Sequence, residues 1–359
     1  MRKKAVIIAG GLGTRLRPLT YDTPKPIVPI VNQPLIVHQI ELLKRHGIVD
    51  IILNLHYLPN AIKKILGNGS ALGVKLYYSI EKEPLGTAGA VKNAEEFFGD
   101  CEVLVVFNGD ILYDINISKI IDFHTAKQSQ VTLALTSVED PTPYGLVLTD
   151  ENGKIKDFLE KPSWNMLEGI DCREINAGVY VLDPKVFSDI PKETHYMFEH
   201  HLFPKMLSER APMYAYKSDS YWIDVGNAVK YYLAHEAILR GEMPVRIFGD
   251  RNNMGCWVGK KTEIDKTSKV FCPVVIGEGV KLGKEVILKD YTVVGDNVEI
   301  GEGATLERCI IWRGVKIGKH VKLSNCIIGF DCKIEDCCVI SGAVLANKTH
   351  LTKGSKINV

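Results

Sequence analysis

The sequence predicts an α/β chain in two parts. A mixed, mostly parallel sheet covered by helices is followed by a left-handed parallel β-helix of hexapeptide repeats. Three observations carry that reading. Short apolar runs alternate with helical patterns up to about Arg240. Beyond that point the apolar residues recur at a near-hexad period. Between the two lies RGEMPVR (Arg240–Arg246), a stretch of linker composition. The expected boundaries are 1–240 for the first domain, 241–255 for the linker and 256–359 for the repeats.

In the first part, KAVIIA, DIILNL, VKLYYS and VLVVFN read as strands buried on both faces, because they are apolar without alternation. Helical patterns separate them at Pro34–His46, Pro59–Leu66, Ala88–Phe98 and Ile117–Ala126. A βαβα order of this kind implies a Rossmann-like sheet with helical crossovers. After Val131 the order loosens, as in an α+β extension; Tyr221–Val225 reads as another strand and Ala228–Leu239 as another helix.

In the second part, Ile276, Leu282, Leu288, Val294, Ile300 and Leu306 mark successive hexads, and Ile317, Leu323, Ile334 and Ile340 continue them. Glycine follows many of these positions (Gly277, Gly283, Gly295, Gly301, Gly318, Gly329), and small apolar residues such as Val280, Val286, Val298 and Ala304 fall between them. Hexapeptide periodicity is the signature of a parallel β-helix, with the apolar residue inward and glycine at the corner. At about 18 residues per coil, the span from Ile276 to Ile340 makes three to four coils. So short a stack needs its ends capped. The expectation is a homo-oligomer, with the β-helix serving assembly rather than chemistry. Cys309, Cys326, Cys332, Cys337 and Cys338 fall within the repeat without metal-ligand spacing and read as small coil-filling or turn residues.

Composition excludes several classes. Lys+Arg 44 against Asp+Glu 43 leaves a net charge of +1, which argues against a general nucleic-acid or membrane-surface binder. Any anion site is therefore local. The opening MRKKAVIIAGG imitates a signal peptide, but its apolar run is too short for one, and no stretch approaches a membrane span. The cysteines are odd in number, nine, without a CxxC pair, so reduced thiols in a cytoplasmic setting are expected.

The local anion site is legible in AVIIAGGLGTRLRPLTYDTPKPIVP, Ala5–Pro29. A glycine loop after a strand exposes backbone N–H groups and admits a phosphate closely. Gly10, Gly11 and Gly13 fit neither the dinucleotide fingerprint nor the P-loop, both of which require other spacings. The cations sharpen the signal. Thr14-Arg15 closes the loop, with Arg15 suited to bidentate phosphate binding. Lys25 is bracketed by Pro24 and Pro26, and Pro26 disfavours a helical backbone there.

GGLGTRLRPLTYDTPKP resembles the signature of the sugar-nucleotide pyrophosphorylases, nucleotidyltransferases that act on sugar 1-phosphates. The resemblance implies that this loop binds the triphosphate of an NTP. It also implies Mg²⁺ held by two aspartates: Asp110, ending VLVVFNGD, and Asp224 in YWIDVG. Hard Mg²⁺ prefers such carboxylates together with phosphate oxygens. FLEKP resembles the second family signature, in which Lys161 contacts the sugar phosphate and Glu160 the sugar hydroxyls. Asn176 and Gly178 in INAGVYVL match the sugar pocket, as do Tyr144 and Gly145.

EKEPLGTAGAV (Glu81–Val91) resembles the family's base-binding segment, with Gly86 letting the backbone approach the base. Where thymidylyl and uridylyl enzymes often carry Gln, this chain has Glu81. A carboxylate accepts two donors and so suits the N1–H and N2–H₂ of guanine. End to end the chain most resembles the mannose 1-phosphate guanylyltransferases. The implied reaction is NTP plus sugar 1-phosphate giving NDP-sugar and pyrophosphate, with Arg15, Lys25, Asp110, Lys161 and Asp224 as the catalytic set. Glucose 1-phosphate with UTP, dTTP or ATP remains an alternative pair. A catalytically silent regulatory subunit remains an alternative of another class, although the intact loop counts against it. An acyltransferase in the β-helix would need a catalytic histidine, and His320 and His350 read as surface residues.

Overall fold

A computed structural model describes residues 1–252 and 255–359; residues 253 and 254 of the expected linker lie outside the described residues. The chain divides into two compact units, Met1–Gly11 with Ile36–Asp224, and Leu12–Leu35 with Val225–Val359.

The first unit is built on a nine-stranded sheet. β1 (Lys3–Ile8) lies between β2 (Asp50–Leu55) and β4 (Val103–Asn108), and β3 (Lys75–Ile80) extends the edge beyond β2; all four run parallel. Helices at Leu35–Arg45, Pro59–Leu66 and Gly86–Asn93 make the connections, close to the stretches that periodicity marks. Ala5, Val6, Ile7, Ile51, Ile52, Leu53, Leu104, Val105 and Val106 are wholly buried, which explains why these runs do not alternate. Each such side chain contributes roughly 1.5–3 kcal/mol by leaving water. Beyond β4 the pairing becomes mixed. β5 (Ile111–Tyr113) pairs with β11 (Trp222–Asp224) outside the main sheet. β6 (Val131–Ser137), β7 (Gly145–Thr149), β8 (Ile155–Glu160) and β9 (Glu174–Leu182) join antiparallel neighbours, and β10 (Met213–Lys217) runs parallel to β6. β1, β2 and β4 end side by side, since Ile8 is in register with both Asn54 and Asn108.

The second unit contains the parallel β-helix. Among the described residues, three sheets each hold six parallel strands, from Trp257–Val258 to Lys356–Asn358, and an antiparallel strand, Asp250–Arg251, borders the first. The stack thus has six coils rather than three to four. The flanking coils escaped the periodicity because Glu263–Ile264, Lys269–Val270 and His350–Leu351 pair in register with little of the burial that marks the centre. The repeat also shortens. Ile287 pairs with Thr305, but Val293 pairs with Ile310 and Thr305 with Lys322, so a residue is dropped at the Arg308 corner. Cys309 and Cys326 are buried at the shortened corners, and Ala343 lines up with them in the next coil. They fill the core as small residues, as the sequence implies. One exception to reduced thiols is present: Cys256 and Cys272 form a disulfide, with Cα atoms 5.3 Å apart. Their separation of 16 residues is close to one coil, so stacking brings them together, a proximity that spacing alone does not reveal.

A helix, Ala228–Arg240, precedes the stack; Asn227 caps its first turn through Lys230 N–H at 2.9 Å and Gly241 ends it in the left-handed region. The segment Leu12–Leu35 belongs to the same compact unit as this helix and the β-helix.

Candidate active site

In the first unit, the site gathers where β1, β2 and β4 end. Open α/β sheets bind ligands beyond the carboxyl ends of their strands. Gly10 follows β1 there; a Cβ on it would come within 3.2 Å of His56 Cβ and 3.5 Å of Glu81 Oε2, so the backbone passes close to that carboxylate. Glu81 is 7% exposed. Its Oε2 accepts the Leu85 N–H at 3.4 Å, while Oε1 is buried without a hydrogen-bond partner among the described residues. Burial pushes the Glu81 carboxyl above its ordinary range, against the pull of the Leu85 N–H and of Asn54. Oδ1 of Asn54 and Oδ1 of Asn108 are also buried and unpartnered. Unsatisfied buried acceptors are costly, and their grouping at one end of a sheet marks a place prepared for donors. Gly11 is open on every side of its missing Cβ.

Gly86 is also constrained by its own chain. It sits at φ +73°, and a Cβ would lie 2.8 Å from the Tyr196 carbonyl of its own chain. Beside it, Thr87 Oγ1 donates to Glu199 Oε2 at 3.0 Å and accepts from Phe198 N–H at 2.8 Å.

Asp110 stands on a tightly held turn. Gly109 N–H donates to the Ile8 carbonyl at 2.8 Å, and a Cβ on Gly109 would meet that oxygen at 2.5 Å. Buried Gln39 donates Nε2–H to the carbonyls of Asn108 (2.9 Å) and Ile111 (2.8 Å), clamping the turn from both sides. Asp224 pairs across the ladder with Ile111, so the two aspartates are one residue out of register. Among the described residues, no three His, Cys, Asp or Glu side chains form a cage for an ion. A two-carboxylate donor set fits a hard divalent ion that completes its shell with water and phosphate oxygens.

The residues expected on the sugar side begin from Asp224. Tyr144 Oη donates to Asp224 Oδ1 at 2.8 Å, and its ring packs edge-on against Trp222 at 5.5 Å. The Tyr144 carbonyl accepts the Lys161 N–H at 2.9 Å. Lys161 has φ +48°, a strained value for a lysine, and its exposed ammonium lies 3.1 Å from Glu160 Oε1. Gly145 is opposite Glu160 in the ladder; a Cβ there would fall 2.9 Å from Glu160 Oε2. Asn176 donates to Tyr180 Oη at 2.8 Å and accepts the Gly178 N–H at 3.0 Å, and Gly178, at φ +74°, presses on Asn108. The first unit therefore links Tyr144, Gly145, Glu160, Lys161 and Asp224 to one another, and sets Asn176 and Gly178 against Tyr180 and Asn108.

The second unit carries the loop cations. Gly13 is at φ +63°, and a Cβ on it would lie 3.1 Å from Lys25 Cβ, so no other residue fits comfortably. Thr20 Oγ1 donates to the Gly13 carbonyl at 2.7 Å. Thr14–Leu16 forms a 3₁₀ turn that leaves Arg15 exposed. Lys25 is 8% exposed and begins a second 3₁₀ turn, Lys25–Ile27, contrary to the extended backbone expected before Pro26. The turn's bonds run from Ile27 N–H to Pro24 O and Val28 N–H to Lys25 O, so Pro26 forfeits none.

Sequence reasoning missed Asn54, Asn108, Gln39, Thr87 and Glu199. A signal for the first two exists: each asparagine falls at or beside the end of an otherwise apolar strand run. His320 is exposed, and His350 is an exposed partner of Glu335 at 2.9 Å, so neither is a buried acyl-transfer base.

Comparison with known proteins agrees with the geometry. Residues 4–241 match the Nucleotidyl transferase family model, and residues 270–359 match the GMPPB C-terminal domain. The chain is 33% identical to a mannose-1-phosphate guanylyltransferase of Mycobacterium tuberculosis over 87% of its own length and 80% of the relative's. It is also 33% identical to a UTP–glucose-1-phosphate uridylyltransferase of Synechocystis, over 86% of this chain and 82% of that one. Among solved structures, HddC from Yersinia pseudotuberculosis complexed with GMP-PN superimposes with a TM-score of 0.56 at 31% identity, over 66% of this chain and all of that one.

Proposed function

Since the chain belongs to the nucleotidyl transferase family, we propose that it transfers GMP from GTP to mannose 1-phosphate, giving GDP-mannose and pyrophosphate. The observation that carries the guanine assignment is Glu81, whose Oε2 lies close to Gly10 at the strand ends and whose buried Oε1 has no hydrogen-bond partner among the described residues. A carboxylate offers the two acceptors that guanine N1–H and N2–H₂ require. The mannose assignment is supported by the guanylyltransferases among the relatives. The uridylyltransferase relative keeps glucose 1-phosphate with UTP as the second reading.

In this reaction the sugar phosphate oxygen attacks the α-phosphorus, a P–O bond forms, and the bond to the pyrophosphate oxygen breaks. The nucleophile is already anionic, so positioning and charge neutralisation do the work. Gly10, Gly11, Gly13 and Thr14 offer backbone N–H groups to the triphosphate. Arg15 stabilises charge on the departing pyrophosphate, and Lys25 offsets repulsion between the reacting anions. Lys161 holds the sugar phosphate. Glu160, Asn176, Gly178, Tyr144 and Gly145 form the sugar side. Asp110 and Asp224 are the residues that would hold Mg²⁺, which supplies divalent charge to the phosphates when bound.

The domain assignment we propose keeps residues 1–240 as the transferase, 241–255 as a linker and 256–359 as the repeat domain, in a cytoplasmic homo-oligomer. Among the described residues no helix is long and apolar enough to cross a membrane. Mass spectrometry of products from pooled NTPs and pooled sugar 1-phosphates tests the substrate pair. GDP-mannose as the main product supports the proposal, and UDP-glucose would replace it with the second reading.

A further inference from the structure

We infer that the β-helix positions the cationic loop for the nucleotide, with Trp312 and Asn347 as the positioning residues. The inference rests on the nucleotidyl-transfer reading for its chemistry and on the second unit alone for its geometry.

The first observation is a break in the repeat. Gly259, Gly277, Gly295 and Gly329 follow the strands of one sheet at equivalent corners, and Ala346 holds the same place in the last coil. In that column of small residues the remaining position is Trp312. It is 1% exposed and lies against Phe330, with ring centroids 4.5 Å apart. A tryptophan is a poor choice for a tight corner unless its indole is used. Its Nε1–H donates to Tyr231 Oη at 2.9 Å, and Tyr231 Oη donates in turn to the carbonyl of Pro29. The tyrosine has one hydroxyl proton, so the relay has a single direction, from the β-helix through the Ala228–Arg240 helix to the loop. Pro29 is four residues past Lys25.

The second observation is on the other side of Lys25. Two other corners cap the preceding coil with an aspartate: Asp296, three coils earlier in the same column, accepts the Glu278 N–H, and Asp336, on another face, accepts the Lys319 N–H, each at 2.7 Å. Asn347 makes the same bond, accepting the Phe330 N–H at 2.7 Å. That bond fixes which side of its amide is oxygen. Its Nδ2 therefore faces the loop, donating to Asp22 Oδ1 at 2.5 Å and Thr23 Oγ1 at 2.9 Å. An aspartate would serve the cap equally well; only the amide also holds Asp22. Asn32 Nδ2–H to the Val294 carbonyl at 2.8 Å adds a further tie. Lys25 is thus bracketed at Asp22–Thr23 and at Pro29 by bonds that reach the β-helix. Because Lys25 packs on Gly13, its position sets that of the glycine loop.

Two variants separate positioning from folding. Asn347→Asp keeps the coil cap but sets a carboxylate against Asp22, and Trp312→Phe keeps an aromatic ring but removes the donor. In the full-length protein each is expected to lower kcat/KM for GTP about tenfold or more, with KM for the sugar phosphate and the Tm little changed. Adding Asp22→Asn to Asn347→Asp removes the repulsion and is expected to restore most of the loss. Hydrogen exchange gives a readout independent of turnover: amides from Thr14 to Val28 exchange faster in both variants. Wild-type kcat/KM for GTP in Asn347→Asp overturns the inference. An equal loss toward both substrates, no rescue by Asp22→Asn, or unchanged exchange in the loop overturns it too. If the wild type transfers no nucleotide from any NTP, the functional reading fails by itself, while exchange still decides whether the β-helix holds the loop.

Discussion

Replacing Glu81 by glutamine tests the base assignment with almost no change of shape. Glu81 is 7% exposed and has one oxygen, Oε1, without a hydrogen-bond partner among the described residues. A hydrogen bond to a charged group is worth about 1.5–3 kcal/mol, and an unpaired buried group costs about 1–3 kcal/mol. Glu81→Gln turns one acceptor into a donor and removes the charge. Against guanine it loses one charge-assisted bond and faces donor to donor, a loss of about 2–4 kcal/mol, or roughly 30- to 900-fold in kcat/KM. Against uracil or thymine an amide is complementary, offering an acceptor to N3–H and a donor to a carbonyl. The assay is kcat/KM for GTP, ITP, UTP and dTTP in wild type and variant. ITP lacks the N2 amine, so the wild type should already prefer GTP to it. The pH dependence has a definite sign. Burial raises the Glu81 pKa, so GTP use should fall on acidification at a higher pH than an ordinary carboxylate would cause, and the variant should lose that limb. The raised pKa also means that the folded state bears a penalty above the ordinary carboxylate range, so Glu81→Gln should raise the Tm near neutral pH. An unchanged ratio of GTP to UTP use in Glu81→Gln would refute the reasoning.

Asp110→Asn should abolish turnover with the Tm intact, at a loss of roughly several kcal/mol in the barrier; near wild-type kcat at saturating Mg²⁺ would remove Asp110 from the metal set. Lys161→Ala should raise KM for the sugar phosphate much more than for the NTP, whereas Lys25→Ala should damage kcat; steady-state kinetics showing equal effects in both would mean the roles are wrongly divided. His124 is buried and bonded through Nδ1 to Thr132 Oγ1 at 2.9 Å, and burial pushes its pKa down to about 4. Its stability contribution is complete above about pH 6.5 and declines as the pH falls towards 4, by up to about 3 kcal/mol, so His124→Asn should flatten the fall of Tm over that window.

The features most legible in the sequence are those fixed by local chemistry. Buried parallel strands show as apolar runs, so β1, β2, β3 and β4 fall where such runs lie. The hexad shows because one inward residue per face repeats. Both signals fade where burial fades, as at Glu263–Ile264 and His350–Leu351, and one coil at each end was lost for that reason. The disulfide was hidden because coil stacking, not sequence proximity, joins Cys256 to Cys272. In the site, the glycines were legible but the packing around them was not. At Gly86 the Tyr196 carbonyl lies 2.8 Å from where a Cβ would stand, a constraint set by a residue more than a hundred positions away in the chain.

The least legible layer is the one that fixes side chains in place. Gln39 clamps the Asp110 turn by reaching the Asn108 and Ile111 carbonyls from a helix some 70 residues away in sequence. Nothing in the periodicity of that helix separates Gln39 from any other polar residue on it. Trp312 differs in one respect, because it departs from a column of equivalent residues. A repeat supplies its own reference. Each corner states which residue the fold alone requires, so a departure that the fold does not need points to a task outside the stack. By that criterion Trp312 stands out against glycine, and through Tyr231 it reaches the segment that carries Lys25. A chain without repeats offers no such internal comparison, which is why Gln39 emerges only from the three-dimensional structure.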